Sequence, residues 1–139
     1  MKTFTKYLAG FAVTALILTI AVRVLLSFLV ETKQSALCYI VAGIYAVSVF
    51  VSGWIFGDKE RRYLPIHDIG FRYNLTTYLI FNGVWELWFV LGFNSHYENN
   101  DMAHFSAILW GSIVLVHYIM YRHFRKKLID GLDKKDLFE

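Results

Sequence analysis

The chain has 139 residues, of which 57% are hydrophobic and 18% aromatic, with one proline, one cysteine and a formal net charge of +3. So high an apolar share, against roughly 45–50% in soluble domains, points away from a soluble globular protein, and the length leaves room for a single domain. Cys38 alone excludes an intrachain disulfide, a CxxC redox pair and a cysteine zinc site, and basic residues gathered at the ends of apolar stretches do not suggest a nucleic-acid binder.

Four apolar stretches follow one another, at about residues 8–30, 35–56, 73–93 and 103–121. Each meets the roughly 20 residues needed to cross about 30 Å of hydrocarbon. Lys2 and Lys6 precede the first like the n-region of a signal peptide. That stretch is too long for one, contains Arg23 and lacks a small-residue cleavage site, so it is expected to remain as a helix. The four-residue link from Glu31 to Gln34 makes the first two helices a tight antiparallel hairpin.

Lys/Arg counting sets the orientation. The N-terminus carries Lys2 and Lys6. The second connection carries Lys59, Arg61, Arg62 and Arg72, and the tail Arg122, Arg125, Lys126, Lys127, Lys134 and Lys135. The opposite side has only Lys33, next to the acidic segment with Glu98 and Asp101. The expectation is an all-α integral membrane protein. Its four transmembrane helices form one antiparallel bundle over residues 1–139, N-in/C-in, with a basic cytoplasmic tail at 122–139. Leu128, Leu132 and Leu137 let that tail continue the fourth helix or lie on the membrane surface. Its Lys and Arg attract anionic headgroups at about 1 kcal/mol each.

The third stretch carries Asn74, Tyr78, Asn82 and Glu86 at four-residue spacing, one turn apart on a slowly drifting face. A polar ladder ending in a carboxylate must face protein or water. Arg23 and Glu86 each lie seven residues before the expected outer end of an outward-running helix, Val30 and Phe93, so they share a depth. Either charge alone costs about 2.5–3.5 kcal/mol on insertion scales. An Arg23–Glu86 salt bridge, within one subunit or between two, is therefore expected. The rings of Trp85, Trp88, Phe89 and Phe93 around Glu86 are read as packing and interfacial belt.

Three further groups stand out. His96, Glu98, Asp101 and His104 cluster at the third connection and have side chains that bind zinc or another divalent ion, though in no defined zinc spacing. Arg61, Arg62, His67 and Arg72 in the second connection form a candidate pocket for a phosphate or lipid headgroup. Pro65 and Gly70 make that connection a turn. Ala103, Ala107 and Gly111, with Gly53 and Gly57, mark close-packing seams. No glycine-rich phosphate loop, GxSxG or HExxH occurs.

The run Phe71-Arg72-Tyr73-Asn74, then Tyr78 and Asn82, then Trp110-Gly111 with His117, resembles the bacterial 2TM domain family. The family's pattern is roughly FYxH, YxxxN and GWGxGLxxH; here Asn74 replaces the first histidine and Ile113 the later glycine. The likeness covers about residues 70–125. It implies a structural or signalling membrane module with no known catalysis.

The resulting expectation is a small polytopic protein of the bacterial inner membrane. It is a non-enzymatic sensing, scaffolding or effector module without a cofactor, in contact with the bilayer and its anionic headgroups, self-associating, and without nucleic acid. The alternative class is an ion channel or small-solute transporter using Glu86. A membrane enzyme acting on lipid headgroups is third, because no nucleophile–base set is readable.

Overall fold

Long apolar runs with helix breakers only at their margins make helices, and four are present in the computed structural model. They are α1 (Lys6–Glu31), α2 (Ser35–Tyr63), α3 (Ile69–Val90) and α4 (Asn100–Asp130). The structure describes residues 5–63 and 69–130, without the side chains of residues 63, 102, 103 and 124–130. There are no strands among the described residues.

The helices run further toward the termini than apolar content alone suggests. α2 passes through Gly57 and carries the charged segment to Tyr63, so half of the expected second connection is helix. Gly70 lies inside the first turn of α3, not in a turn; Pro65 and His67 fall outside the described residues. α4 continues through the basic segment to Asp130.

Among the described residues three helices are long and apolar enough to cross a membrane: Lys6–Glu31, Ser35–Arg62 and His104–His123. The expected fourth span, α3, is not among them. Its position explains its polarity: α3 packs against α1, α2 and α4, so its polar side chains have protein on several sides. Among the described residues α1 packs against α2 and α3, while α4 packs against α3 alone.

The core lies where α1, α2 and α3 meet. Leu8, Phe11, Ala15 and Tyr73 are buried, with Val49, Phe56, Ile69 and Ile80 against them. The Phe11 ring lies 4.7 Å from that of Tyr73. Away from these residues the surface is apolar: Ile17, Phe28, Ile44, Phe50, Ile108 and Ile119 are all exposed. A water-soluble bundle places polar residues there. Several helix hydroxyls, including those of Thr14, Ser48 and Ser112, donate to the carbonyl four residues back, which satisfies them without solvent.

One end of the bundle holds the α1–α2 link and the α3–α4 loop, and is called the turn end; the other is the terminal end. Both helices arriving at the turn end stop in the same way. Gln34 N donates to Leu29 O at 2.9 Å and Lys33 N to Val30 O at 3.0 Å; Phe93 N donates to Trp88 O and Gly92 N to Phe89 O, each at 3.1 Å. These are Schellman caps, which need a left-handed residue. Gly92 supplies it at φ +73°, whereas in α1 Lys33 adopts φ +57°.

Replacing Gly92 by Ala should therefore lower stability in detergent by about 1–2 kcal/mol, the steric cost of the left-handed conformation. Gly43→Ala, where an added Cβ meets nothing within 4 Å, should be neutral or stabilising. Equal effects of the two substitutions on thermal unfolding would refute this account of the cap.

Candidate functional site

Polar side chains inside an apolar bundle must find one another, and here they sort into two seams. The first lies along α1, where Thr19, Arg23, Ser27 and Glu31 repeat every four residues. Thr19 and Arg23 are buried, Arg23 to 1% exposure. Thr19 Oγ1 meets the Tyr45 hydroxyl of α2 at 2.9 Å.

Arg23 is the centre of this seam. Its Nη1 donates to Glu98 Oε1 at 2.9 Å, and its Nη2 pairs with Glu98 Oε2, giving a two-pronged ion pair with a residue of the α3–α4 loop. Its Nη1 also donates to Ser27 Oγ at 3.2 Å, and Ser27 accepts from Trp88 Nε1 at 3.1 Å. The guanidinium lies 4.4 Å from the Trp85 ring centre, 5.4 Å from that of Phe89 and 5.6 Å from that of Trp88. Cation–π attraction of about 2 kcal/mol or more is typical once such a pair is desolvated. Beyond it, Ser95 donates to Glu31, tying the loop to the last turn of α1.

At the terminal end α1 is held by a buried carboxylate. Thr5 caps α1 by accepting from Leu8 N at 3.1 Å and donates its hydroxyl to Glu60 Oε1 of α2 at 2.8 Å. Arg72 Nη1 of α3 reaches the same oxygen at 3.0 Å. Glu60 is fully buried, so one carboxylate joins three helices out of water.

The second seam joins α3 to α4 and uses the ladder on α3. Asn74 Oδ1 accepts from Trp110 Nε1 at 3.2 Å, the Tyr78 hydroxyl donates to Ala107 O at 3.3 Å, and Glu86 Oε1 meets His104 Nδ1 at 3.1 Å. Asn82 returns to its own helix, donating to Tyr78 O at 2.8 Å. An added Cβ at Gly111 would stand 2.9 Å from the Tyr78 hydroxyl, so a side chain there would displace Tyr78. Phe71 stacks on Tyr121 at 5.8 Å and meets the edge of His117 at 5.7 Å. Of the residues that carry the 2TM likeness, Phe71, Asn74, Tyr78, Trp110, Gly111 and His117 meet across this seam, whereas Arg72 and Tyr73 turn to α2 and α1 and Asn82 to its own helix.

The expected Arg23–Glu86 bridge is not formed within the chain. α3 ends at Val90, not Phe93, so Glu86 is four residues from its helix end and Arg23 eight from the end of α1. At about 1.5 Å per residue that is a depth difference of about 6 Å. Glu86 also faces α4, while Arg23 faces the Trp85 and Trp88 side of α3. Nor is Glu86 buried: it is 45% exposed and His104 54%.

The expected metal group is dispersed as well. Glu98 pairs with Arg23, His104 with Glu86, Asp101 accepts from Asn99 at 3.0 Å and His96 packs edge-on to Tyr97. Among the described residues no group of three or more His, Cys, Asp or Glu could hold a metal ion. The basic group at the second connection also divides, because α2 continues as helix. Arg62 pairs with Asp58 at 2.8 Å and Arg72 with Glu60. Arg61 lines a cavity of about 400 Å³ with Gly53, Trp54 and Ile69; His67 is outside the described residues. The small-residue seams serve packing within the chain: Ala107 and Gly111 receive Tyr78, Gly53 receives Phe11 and Gly57 receives Ile69. Ala103 lies in α4, its side chain outside the described set.

Comparison with known proteins found no matching family model, and no curated protein or solved structure matched the chain.

Breaking a buried pair by removing one partner typically costs about 3–5 kcal/mol. Arg23→Ala and Glu98→Ala should each do so in chemical unfolding, and the double variant should fall short of the summed effects by about 1–3 kcal/mol. Arg23→Ala and Glu86→Ala should instead add to within about 0.5 kcal/mol. Coupling of Arg23 to Glu86 rather than to Glu98 would reverse the assignment.

Proposed function

We propose that the chain is a non-enzymatic membrane module in which all four helices lie within a bilayer. The termini and the α2–α3 connection are on the cytoplasmic side of a bacterial inner membrane and the turn end is outside. The observation that carries this reading is the distribution of polarity: exposed faces of α1, α2 and α4 are apolar, while Arg23–Glu98 and Glu60–Arg72 are enclosed. The Lys/Arg bias toward the terminal end supports the orientation. Engagement of Arg23, Glu98, Glu60, Arg72, Ser27 and Ser95 in bonds between segments supports a structural or signalling role over catalysis.

Self-association belongs to the same proposal. α4 covers only α3 and leaves Glu86 and His104 half-exposed on an otherwise apolar face, where a polar pair favours a protein neighbour over lipid. Copies meeting there would bring Glu86 residues together, which is the arrangement a cation-conducting assembly needs. The likeness to the 2TM family agrees with a module of this kind.

In a Cys38→Ser background, cysteine at position 33 or 99 should react with an impermeant thiol reagent on intact cells, and cysteine at position 59 only after permeabilisation. The opposite pattern would overturn the orientation. Native mass spectrometry should show an oligomer for the wild-type chain and a smaller species for Glu86→Gln; a monomer in both would remove self-association.

A further inference from the structure

We propose that the Arg23 guanidinium is a binding site for a small monocarboxylate and that the Glu98 side chain occupies it as an internal competitor. The site is built from rigid elements. Arg23 and Ser27 stand on α1, while Trp85, Trp88 and Phe89 stand on α3 and enclose the cation. The one anionic component comes from the loop at residues 91–99, between the ends of α3 and α4. Its carboxylate is bound by both terminal guanidinium nitrogens, the geometry in which arginine recognises free carboxylates.

Three observations make Glu98 exchangeable. Glu98 retains 10% exposure against 1% for Arg23, so the approach to the cation is from the loop side. The loop has a separate tether, Ser95 to Glu31, and remains attached when Glu98 leaves. Arg23 Nε is buried without a hydrogen-bond acceptor, so the guanidinium has donor capacity beyond what Glu98 uses.

Charge selects the ligand class. Among the described residues the other Lys or Arg side chain at the turn end, Lys33, stands 5.1 Å from the Tyr97 ring centre, over that ring. A single enclosed positive charge matches a monoanion, and the aromatic walls suit its apolar part. A dianionic phosphate would bring a negative charge with no partner into the same space. The proposal rests on the membrane reading only for the side from which ligand arrives; binding itself depends on the cage.

The test is a titration of the full chain in detergent micelles with sodium acetate, against sodium chloride or phosphate at equal ionic strength, followed by tryptophan fluorescence. Trp85 and Trp88 report directly on the cage. The wild-type chain should give a saturable change specific to acetate. Glu98→Gln should bind about tenfold tighter or more, because the intramolecular carboxylate, held in place at an effective concentration well above its own dissociation constant, no longer competes, and Arg23→Gln should not respond. If Glu98→Gln does not fold alone, acetate but not chloride should restore its folding. An equal response in Arg23→Gln, a response to phosphate as strong as to acetate, no acetate-specific change in Glu98→Gln, or no rescue of an unfolded Glu98→Gln would each overturn the proposal. Thiol labelling that reversed the orientation would leave the micelle titration unchanged, so failure of the membrane reading is distinguishable.

Discussion

Burying a guanidinium among aromatic rings is the constraint on which the turn end of this protein depends. An uncompensated charge in a low-dielectric interior costs several kcal/mol even after relaxation. Arg23 meets that cost with a two-pronged carboxylate, a hydroxyl and three ring faces, supplied by a loop and two helices. The α3–α4 loop is thereby drawn onto the end of α1, and α3 is fixed in rotation by the same interactions. α4 then packs along a neighbouring face of α3 through Asn74, Tyr78 and Glu86.

The terminal end is organised similarly with the sign reversed. There a buried anion, Glu60, collects Thr5 from the start of α1 and Arg72 from the start of α3. Between the two lies a dry core of Leu8, Phe11, Ala15 and Tyr73. Apolar packing alone discriminates poorly between neighbouring helix rotations in a lipid-like environment. A charge pinned at each end does discriminate, because a rotated helix leaves a buried ion without its partner. This fixes the rotation of α1 against α2 and α3 in the three-helix core.

Much of this was legible in the sequence, and the errors have identifiable causes. The four helices follow from apolar run length, and the α3 ladder from its spacing; Asn74, Tyr78 and Glu86 of that ladder meet α4, while Asn82 turns back to its own helix. The partner of Arg23 was misassigned because depth was counted from apolar boundaries rather than helix caps. Gly92 ends α3 early, and the polar loop beyond it folds back instead of standing in solvent. The repeat at residues 19, 23, 27 and 31 was equally readable by the rule applied to α3. Glu60 was hidden by reading the segment after Gly57 as a loop. Its role depends on helix continuation and on Thr5 lying 55 residues away, which no local pattern reveals. The dispersal of the His/carboxylate group comes from its partners: Glu98 turns from the loop to Arg23 on α1, and His104 turns from α4 to Glu86 on α3.

The central claim is that Arg23 is neutralised by Glu98. Solid-state NMR can test it in lipid by measuring the dipolar coupling between labelled arginine guanidinium nitrogen and labelled glutamate carboxyl carbon. The structure predicts two hydrogen-bond-range couplings, from Arg23–Glu98 and from Arg72–Glu60; the one assigned to Arg23 persists in Glu86→Gln and vanishes in Glu98→Gln, while that of Arg72 remains in both. A coupling that vanished in Glu86→Gln and persisted in Glu98→Gln would contradict it, returning Arg23 to α3 and freeing the loop.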